Sequence, residues 1–293
     1  MLAQLGLVYC AAIWGSTFVV VKAATAIMSP LTLVAWRFLL TAALLAIWLA
    51  VARRPFWSGL RHGLALGVML AVLYIAQTVG LVYTTASNSG FITGLFIVFV
   101  PLVGLLVYRK RPLPRHLAAV AIALMGLWLL TGGVHRANRG DWLTLLCAIT
   151  YAGHVVYAGR CMARGADPLT LNFQQVLVTG LAALFAAVPA KAPLALTDAR
   201  AWAIIVFLAV FPTLSAFHLQ LVGQRIVDAT RTSLIFTLEP VFAAVFAWTL
   251  GGEQPLPIKV VGGALIVTAM LVSELPYSPA NRVAIGSAAR REP

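Results

Sequence analysis

The chain has 293 residues, of which 61% are hydrophobic and only 10% charged, and a formal net charge of +13; its mean hydropathy is +0.95. Soluble domains carry about 25% charged residues, so this composition excludes an ordinary soluble globular protein and indicates an integral membrane protein. The basic excess needs no nucleic acid, because no basic run is interleaved with aromatics, and it suits anionic lipid headgroups.

A bilayer core of about 30 Å takes roughly 20 apolar residues per helix. Ten such stretches are expected, at 2–21, 31–51, 63–82, 90–108, 116–133, 142–159, 168–188, 201–222, 229–250 and 258–275. Span 1 lacks a basic start and is already long enough to cross, so it reads as a spanning helix rather than a cleaved signal peptide. It carries Cys10, Trp14 and Thr17 at i, i+4 and i+7. Span 2 opens on Ser29-Pro30-Leu31-Thr32-Leu33 and holds Arg37, the only base deep inside a span. Span 3 places Gly63 and Gly67 at four-residue spacing, then Tyr74, Gln77 and Thr78 on one face. Span 4 repeats the small-residue spacing with Gly90 and Gly94, a pattern that lets helices approach closely. Its Pro101 removes a donor and frees the carbonyl of Ile97. In span 6 the face that matches span 1 is Cys147, Tyr151 and His154, and span 7 opens on Asp167-Pro168-Leu169-Thr170-Leu171. Span 8 offers Phe217 and Gln220 with His218 beside them, and span 9 carries Glu239 followed by Pro240. After Pro276 the chain turns to Pro, Asn, Ser and charges, which predicts a disordered tail over 276–293.

The five-residue openings of spans 2 and 7 are nearly identical, and other landmarks stay in step with them. Cys10-Ala11-Ala12-Ile13-Trp14 answers Cys147-Ala148-Ile149-Thr150-Tyr151, Gln77-Thr78-Val79-Gly80 answers Gln220-Leu221-Val222-Gly223, Ala86 answers Ala229, and Pro112-Leu113-Pro114 answers Pro255-Leu256-Pro257. The chain is therefore a duplicated unit, with a first five-helix repeat at 1–135 and a second at 136–275. Five helices are an odd number, so the second copy must enter the membrane from the opposite side. The expected fold is all-α and integral to the membrane, ten transmembrane helices arranged as two inverted repeats. Inverted repeats are a building plan of secondary transporters.

Cytoplasmic loops carry the excess of Lys and Arg. With the N-terminus inside, fourteen basic residues fall on the cytoplasmic side, including Arg53, Arg54, Arg61, Arg109, Lys110, Arg111 and Arg115, against six outside: Lys22, Arg136, Arg139, Lys191, Arg200 and Lys259. Both termini are thus expected in the cytoplasm of a bacterium, with the spans in its inner membrane. Lys22 and Lys259, near the outer ends, are expected to snorkel to the interface.

No phosphate-binding G-x-x-x-x-G-K-[ST], H-E-x-x-H or G-x-S-x-G motif is present, and no Asp or Glu precedes Asp141. Neither an enzyme nor direct ATP drive is indicated. No cofactor is implied, and Cys10, Cys147 and Cys161 lack metal spacing and read as reduced packing residues.

Ten expected helices in a five-helix duplication, Trp14-Gly15-Ser16 in span 1, the Pro-Leu-Thr openings of spans 2 and 7, Glu239-Pro240, and Gly251-Gly252-Glu253 after span 9 together carry a resemblance. The chain resembles EamA-type members of the drug/metabolite transporter superfamily, and within them is similar to the YddG-type amino-acid exporters. The resemblance implies a cavity between the halves lined chiefly by helices 1, 3, 4, 6, 8 and 9, and outward movement of small organic metabolites. Span 1 departs from the small multidrug members in having no carboxylate, which argues against proton-coupled export of lipophilic cations by that route.

Polar side chains are costly in hydrocarbon unless they face protein or a wet cavity. The expected substrate-binding set is Trp14, Thr17, Tyr74, Gln77, Tyr151, His154, Phe217 and Gln220, with Glu239, Pro240 and Pro101 as candidates for coupling or gating. Interhelical hydrogen bonding by Gln and His, and statically tolerated kinks, are the plainer alternatives. The reading is a secondary transporter of small amphipathic metabolites, exporting amino acids, aromatic ones among them. Its expected partners are that small-molecule substrate and membrane lipid. A sugar, nucleotide or lipophilic cargo, and a non-transporting membrane scaffold, stand as alternatives, and the oligomeric state stays open with a monomer compatible.

Overall fold

A computed structural model describes residues 2–108, 114–131, 137–227, 232 and 235–274, and among them every regular element is helical. The helices are α1 Leu2–Ala24, α2 Pro30–Val51, α3 Leu60–Tyr83, α4 Ala86–Gly94, α5 Phe96–Tyr108, α6 Pro114–Thr131, α7 Arg139–Ala163, α8 Pro168–Ala187, α9 Ala199–Leu208, α10 Ala216–Ile226, α11 Leu238–Thr249 and α12 Pro257–Glu274. A π turn over Ala209–Ser215 carries α9 into α10. Seven rods are long and apolar enough to cross a membrane, with α4 and α5 counted as one rod and α9 to α10 as another, and three shorter apolar helices accompany them. The chain is a multi-pass helical membrane protein.

Local chemistry sets the helix ends. Pro30 and Pro168 occupy the first helical turn, where a missing N–H costs nothing. Asp167 also accepts from the Thr170 backbone N–H at 3.2 Å, a cap that Ser29 does not make. Asn138 and Asp141 form a reciprocal capping box. That box draws the start of α7 back to Arg139, ahead of the apolar run at 142 that marked span 6 in the sequence.

Span 4 differs from its sequence reading in two ways. It begins at Ala86, where Thr85 caps the Asn88 N–H, instead of at 90. It is also interrupted at Leu95 and not opposite Pro101, which sits inside α5 without ending it. Leu95 N–H folds back to the Ile92 carbonyl at 3.1 Å beside Gly94, where Pro240 and Met270 press on the backbone. Several landmarks lie outside the described residues: Arg109, Lys110, Arg111, Pro112, Leu113, Arg136, Ala229 and Arg231, and the 276–293 segment.

The bundle is held by pairs of long contacts. α2 packs along α8, α6 along α12, α3 along α7 and α8, α1 along α11 and α10, and α4 along α11 and α7. Small residues set how closely these pairs approach. Gly63 meets Gln174, Gly67 meets Val178 and Gly90 meets Ala243, each without room for a Cβ. Gly15 sits where α1 crosses α11: an added Cβ there would lie 2.6 Å from Phe242 Cβ and 2.8 Å from the Glu239 carbonyl oxygen.

Candidate functional site

Span 1 brings Trp14, Thr17 and Phe18 to the centre of the bundle, α3 brings Leu73, Tyr74 and Gln77, and single residues come from four further helices: Thr93, Tyr151, Phe217 and Glu239. These ten line one small central cavity whose water-accessible space is about 20 Å³, room for one water and no more. Seven of the eleven residues singled out in the sequence meet here: Trp14, Thr17, Tyr74, Gln77, Tyr151, Phe217 and Glu239.

Aromatic edges build the walls. Trp14 meets Tyr151 edge-on at 6.5 Å between centroids, Phe217 at 5.4 Å and Phe236 at 5.4 Å. Tyr151 stacks on Phe96 at 4.0 Å, and Tyr74 meets Phe217 at 6.1 Å. Such contacts fix ring positions beyond what area burial alone does. The polar edge is thin. Gln77 Nε2 donates to Thr93 Oγ1 at 3.2 Å and also reaches Cys147 Sγ at 3.6 Å, while Thr17 Oγ1 spends its proton on the Trp14 carbonyl at 2.6 Å. Glu239 is 4% exposed and its Oε2 has no hydrogen-bond partner.

The other four residues lie off the cavity. His154 Nε2 pairs with Gln175 Oε1 at 2.9 Å, and Gln175 Nε2 donates to Asn172 Oδ1 at 3.0 Å, a buried polar string between α7 and α8. Gln220 is fully buried, with both amide atoms unpaired. Pro240 packs against Gly94, and Pro101 is outside the cavity lining. His218 turns away from the centre, its ring 4.8 Å from Trp48.

Three features escaped the sequence reading. Thr93 and Phe96 sit in an apolar stretch with nothing periodic to mark them. The π turn had a signal in Pro212, which cannot donate to the carbonyl of Leu208; Thr213 Oγ1 takes up that oxygen at 2.6 Å. Neighbouring carbonyls of the turn receive Trp14 Nε1 at Pro212, 2.8 Å, and Thr41 Oγ1 at Ala209, 3.0 Å. Widened turns of this kind often mark functional positions. The third is Arg37. It is 2% exposed, donates from Nε to Thr213 Oγ1 at 2.7 Å, and lays its guanidinium 4.7 Å from the Tyr74 ring centroid.

Polar links tie the helices together at both ends of the bundle. At one end the Lys22 ammonium donates to the carbonyls of Leu81 at 2.6 Å and Thr84 at 2.9 Å, capping α3, where the sequence suggested snorkelling. Beside it Glu253 accepts from the Ala86 N–H at 2.6 Å and from the Ser87 hydroxyl at 2.5 Å, and Thr84 donates to Asp141 at 2.6 Å. At the other end Thr170 donates to the Pro55 carbonyl at 2.8 Å, Gln174 to that of Phe56 at 2.8 Å, and His62 pairs with the Tyr157 hydroxyl at 2.8 Å. Among the described residues no cluster of His, Cys, Asp or Glu could hold a metal ion.

A polytopic helical bundle with a small central cavity and polar links at both ends is the frame of a membrane protein of the transporter class. The chain belongs to the EamA-like transporter family, which it matches over residues 1–132 and 138–274. It is 32% identical over 93% of its length to an uncharacterized transporter of Archaeoglobus fulgidus, of which it covers 86%. It is 25% identical over 89% of its length to a probable amino-acid metabolite efflux pump of Salmonella typhimurium, covering 91% of that protein. A protein of the same description from Escherichia coli is 25% identical over 94% of this chain and 95% of its own. One crystal structure shares the fold at a TM-score of 0.68 and 20% identity, over 92% of this chain and 96% of that one.

Proposed function

We propose that the protein is a secondary transporter that exports small amphipathic metabolites by alternating access, with amino acids, aromatic ones included, as its cargo. The central cavity carries this reading. Its walls are the rings of Trp14, Tyr74, Tyr151 and Phe217, which suit an apolar side chain, and its polar edge is Gln77 with Glu239, which suits a charged head. The water-accessible space holds a single water, so the bundle must open to load an amino acid. The efflux-pump descriptions of the two enterobacterial relatives point to the same cargo.

The helices form ten spans in two inverted five-helix repeats, 1–135 and 136–275. Helix pairing supports this, because exchanging the halves maps contacts onto contacts: α3 on α7 corresponds to α10 on α1, and α1 on α11 to α7 on α4 and α5, while α2 with α8 and α6 with α12 map onto themselves. Both termini lie in the cytoplasm and the spans cross a bacterial inner membrane. His154 and Gln220 join the substrate path once the cytoplasmic half opens. Glu239 couples, and Pro240 and Pro101 mark the helices that bend.

The test is counterflow in proteoliposomes, with the purified protein loaded with one unlabelled amino acid at a time and uptake of labelled phenylalanine as readout. Accelerated, saturable uptake is expected for bulky apolar amino acids. Uptake restricted to sugars, nucleosides or lipophilic compounds would give the cavity another cargo, and none at all would leave a scaffold role.

A further inference from the structure

Arg37 and Glu239 are a buried cation and a buried acid that do not pair with each other. Arg37 is 2% exposed; its Nε is used by Thr213, its guanidinium lies 4.7 Å from the Tyr74 ring centroid and 5.2 Å from that of Phe38, and its Nη2 has no partner. No carboxylate lies within ion-pair distance of it among the described residues. Glu239, 4% exposed, lines the cavity with Oε2 likewise unpartnered. Tyr74 stands between the cavity and Arg37: it lines the cavity that Glu239 also lines, and its ring is the face on which the guanidinium rests.

A charge held in a membrane bundle without its counter-charge is expensive. The π-faces of Tyr74 and Phe38 offset part of that cost for Arg37, but they leave a donor unused. The same holds for the spare oxygen of Glu239. A ligand that carries an anionic and a cationic group on neighbouring atoms brings each of them the counter-charge it lacks.

We propose that Arg37 and Glu239 are a split charge clamp for a zwitterionic α-amino acid: Tyr74 turns aside on loading, the Arg37 guanidinium receives the substrate carboxylate, and the Glu239 carboxylate receives its ammonium. This rests on the transport reading above and names its recognition chemistry. A guanidinium fork matches a carboxylate in two parallel hydrogen bonds. The clamp also rejects by charge. An amine without the carboxylate leaves Arg37 unpaired and adds a second cation, whereas an acid without the ammonium leaves Glu239 unpaired and adds a second anion. Selection then works through what the wrong ligand leaves buried as much as through what the right one gains.

The probes are phenylalanine, phenethylamine and 3-phenylpropionate, which share the ring and differ only in the charged groups. Competition against labelled phenylalanine in proteoliposomes should show wild type preferring the zwitterion to either analogue by roughly tenfold or more, the scale of one lost charged contact. Arg37→Gln should erase the preference over phenethylamine and keep that over 3-phenylpropionate. Glu239→Gln should do the reverse. Arg37→Lys, which keeps the charge and loses the fork, should fall between wild type and Arg37→Gln, and covers the case in which the glutamine variant does not fold. Wild type binding all three probes alike would overturn the clamp, as would unchanged ratios in variants that melt cooperatively and still exchange phenylalanine, and in both cases the transport reading would survive. Absence of amino-acid counterflow in wild type would instead remove the reading on which the clamp rests.

Discussion

Trp14 Nε1 donates to the Pro212 carbonyl oxygen at 2.8 Å, so the indole in the cavity wall is tied to the one stretch of its neighbouring span that is not α-helical. Pro212 lies inside that π turn, and side chains from α1, α2 and the turn itself take up the carbonyls of Leu208, Ala209 and Pro212. The cavity and the local backbone irregularity are thus one mechanical unit. Trp14→Phe keeps a ring in the wall and removes the hydrogen bond. It should lower the melting temperature by an amount corresponding to about 1 kcal/mol while phenylalanine transport continues. Trp14→Ala also opens the wall, and should weaken apparent affinity for bulky amino acids roughly tenfold while leaving alanine little affected. Equal losses for all substrates would make Trp14 a packing residue only.

Gly15 makes the neighbouring contact possible. With the Glu239 carbonyl oxygen only 2.8 Å from where a Cβ would stand, Gly15→Ala must push α1 away from α11, and those two helices carry Trp14 and Glu239. Overpacking of this kind costs about 1–3 kcal/mol. Melting should fall accordingly and transport with it, whereas Gly153→Ala, which meets open space, should leave both unchanged.

Much of this arrangement is legible in the sequence. The spacing Cys10, Trp14, Thr17 and its counterpart Cys147, Tyr151, His154 put two aromatic rings at equivalent depths, and in the bundle those rings meet edge to edge. What the pattern cannot carry is partner choice. His154 lies on the same helical face as Tyr151, but Gln175 of α8 is close enough to take its Nε2, and nothing local to α7 announces that. Charge near a helix end favours the interface, so the sequence alone predicts snorkelling for Lys22. Its actual partners are the last carbonyls of α3, and their proximity depends on how α1 and α3 cross. Arg37 was conspicuous as an intramembrane base, yet its stacking on Tyr74 is a tertiary fact.

The Lys22 and Glu253 links predict how that end of the bundle responds to charge removal. Cations at a helix C-terminus and acids at an N-terminus are each worth about 0.3–1 kcal/mol, more when partly buried. Lys22→Met leaves the Leu81 and Thr84 carbonyls without their donor, and Glu253→Gln weakens the cap on Ala86 and Ser87. Each should increase alkylation of a cysteine placed at Asn88 by an impermeant thiol reagent. Unchanged labelling rates would mean that apolar packing alone keeps this end shut.

Orientation is checked with the same chemistry in intact cells. Cysteines at Asn138 and Ala192 should react with the impermeant reagent from outside, and ones at Ser58 and Arg164 should not. The native Cys10, Cys147 and Cys161 are buried and should stay silent. Labelling at Ser58 from outside would contradict the orientation, and labelling at Ser58 and Ala192 from the same side would contradict the inversion, because those loops are equivalent in the two repeats.

Glu239 joins the proposed coupling role to the proposed clamp, because a proton and a substrate ammonium would compete for the same carboxylate. Its Oε2 has no hydrogen-bond partner in the bundle, which leaves that oxygen open to either. The sign follows directly. Protonating Glu239 removes the negative charge that the ammonium needs, so apparent affinity for phenylalanine should fall as pH is lowered, at most roughly tenfold per pH unit for one proton displaced per substrate. In Glu239→Gln the side chain no longer titrates. Affinity should be weaker at high pH than in wild type and flat across the range, and a pH gradient should no longer drive net uptake while exchange at equal pH survives. 3-Phenylpropionate has no ammonium to compete with the proton, so in wild type its binding should weaken far less on acidification, or strengthen. Parallel pH profiles for phenylalanine and 3-phenylpropionate, or an unchanged profile in the glutamine variant, would place the titrating group elsewhere and return Glu239 to a structural role beside Pro240.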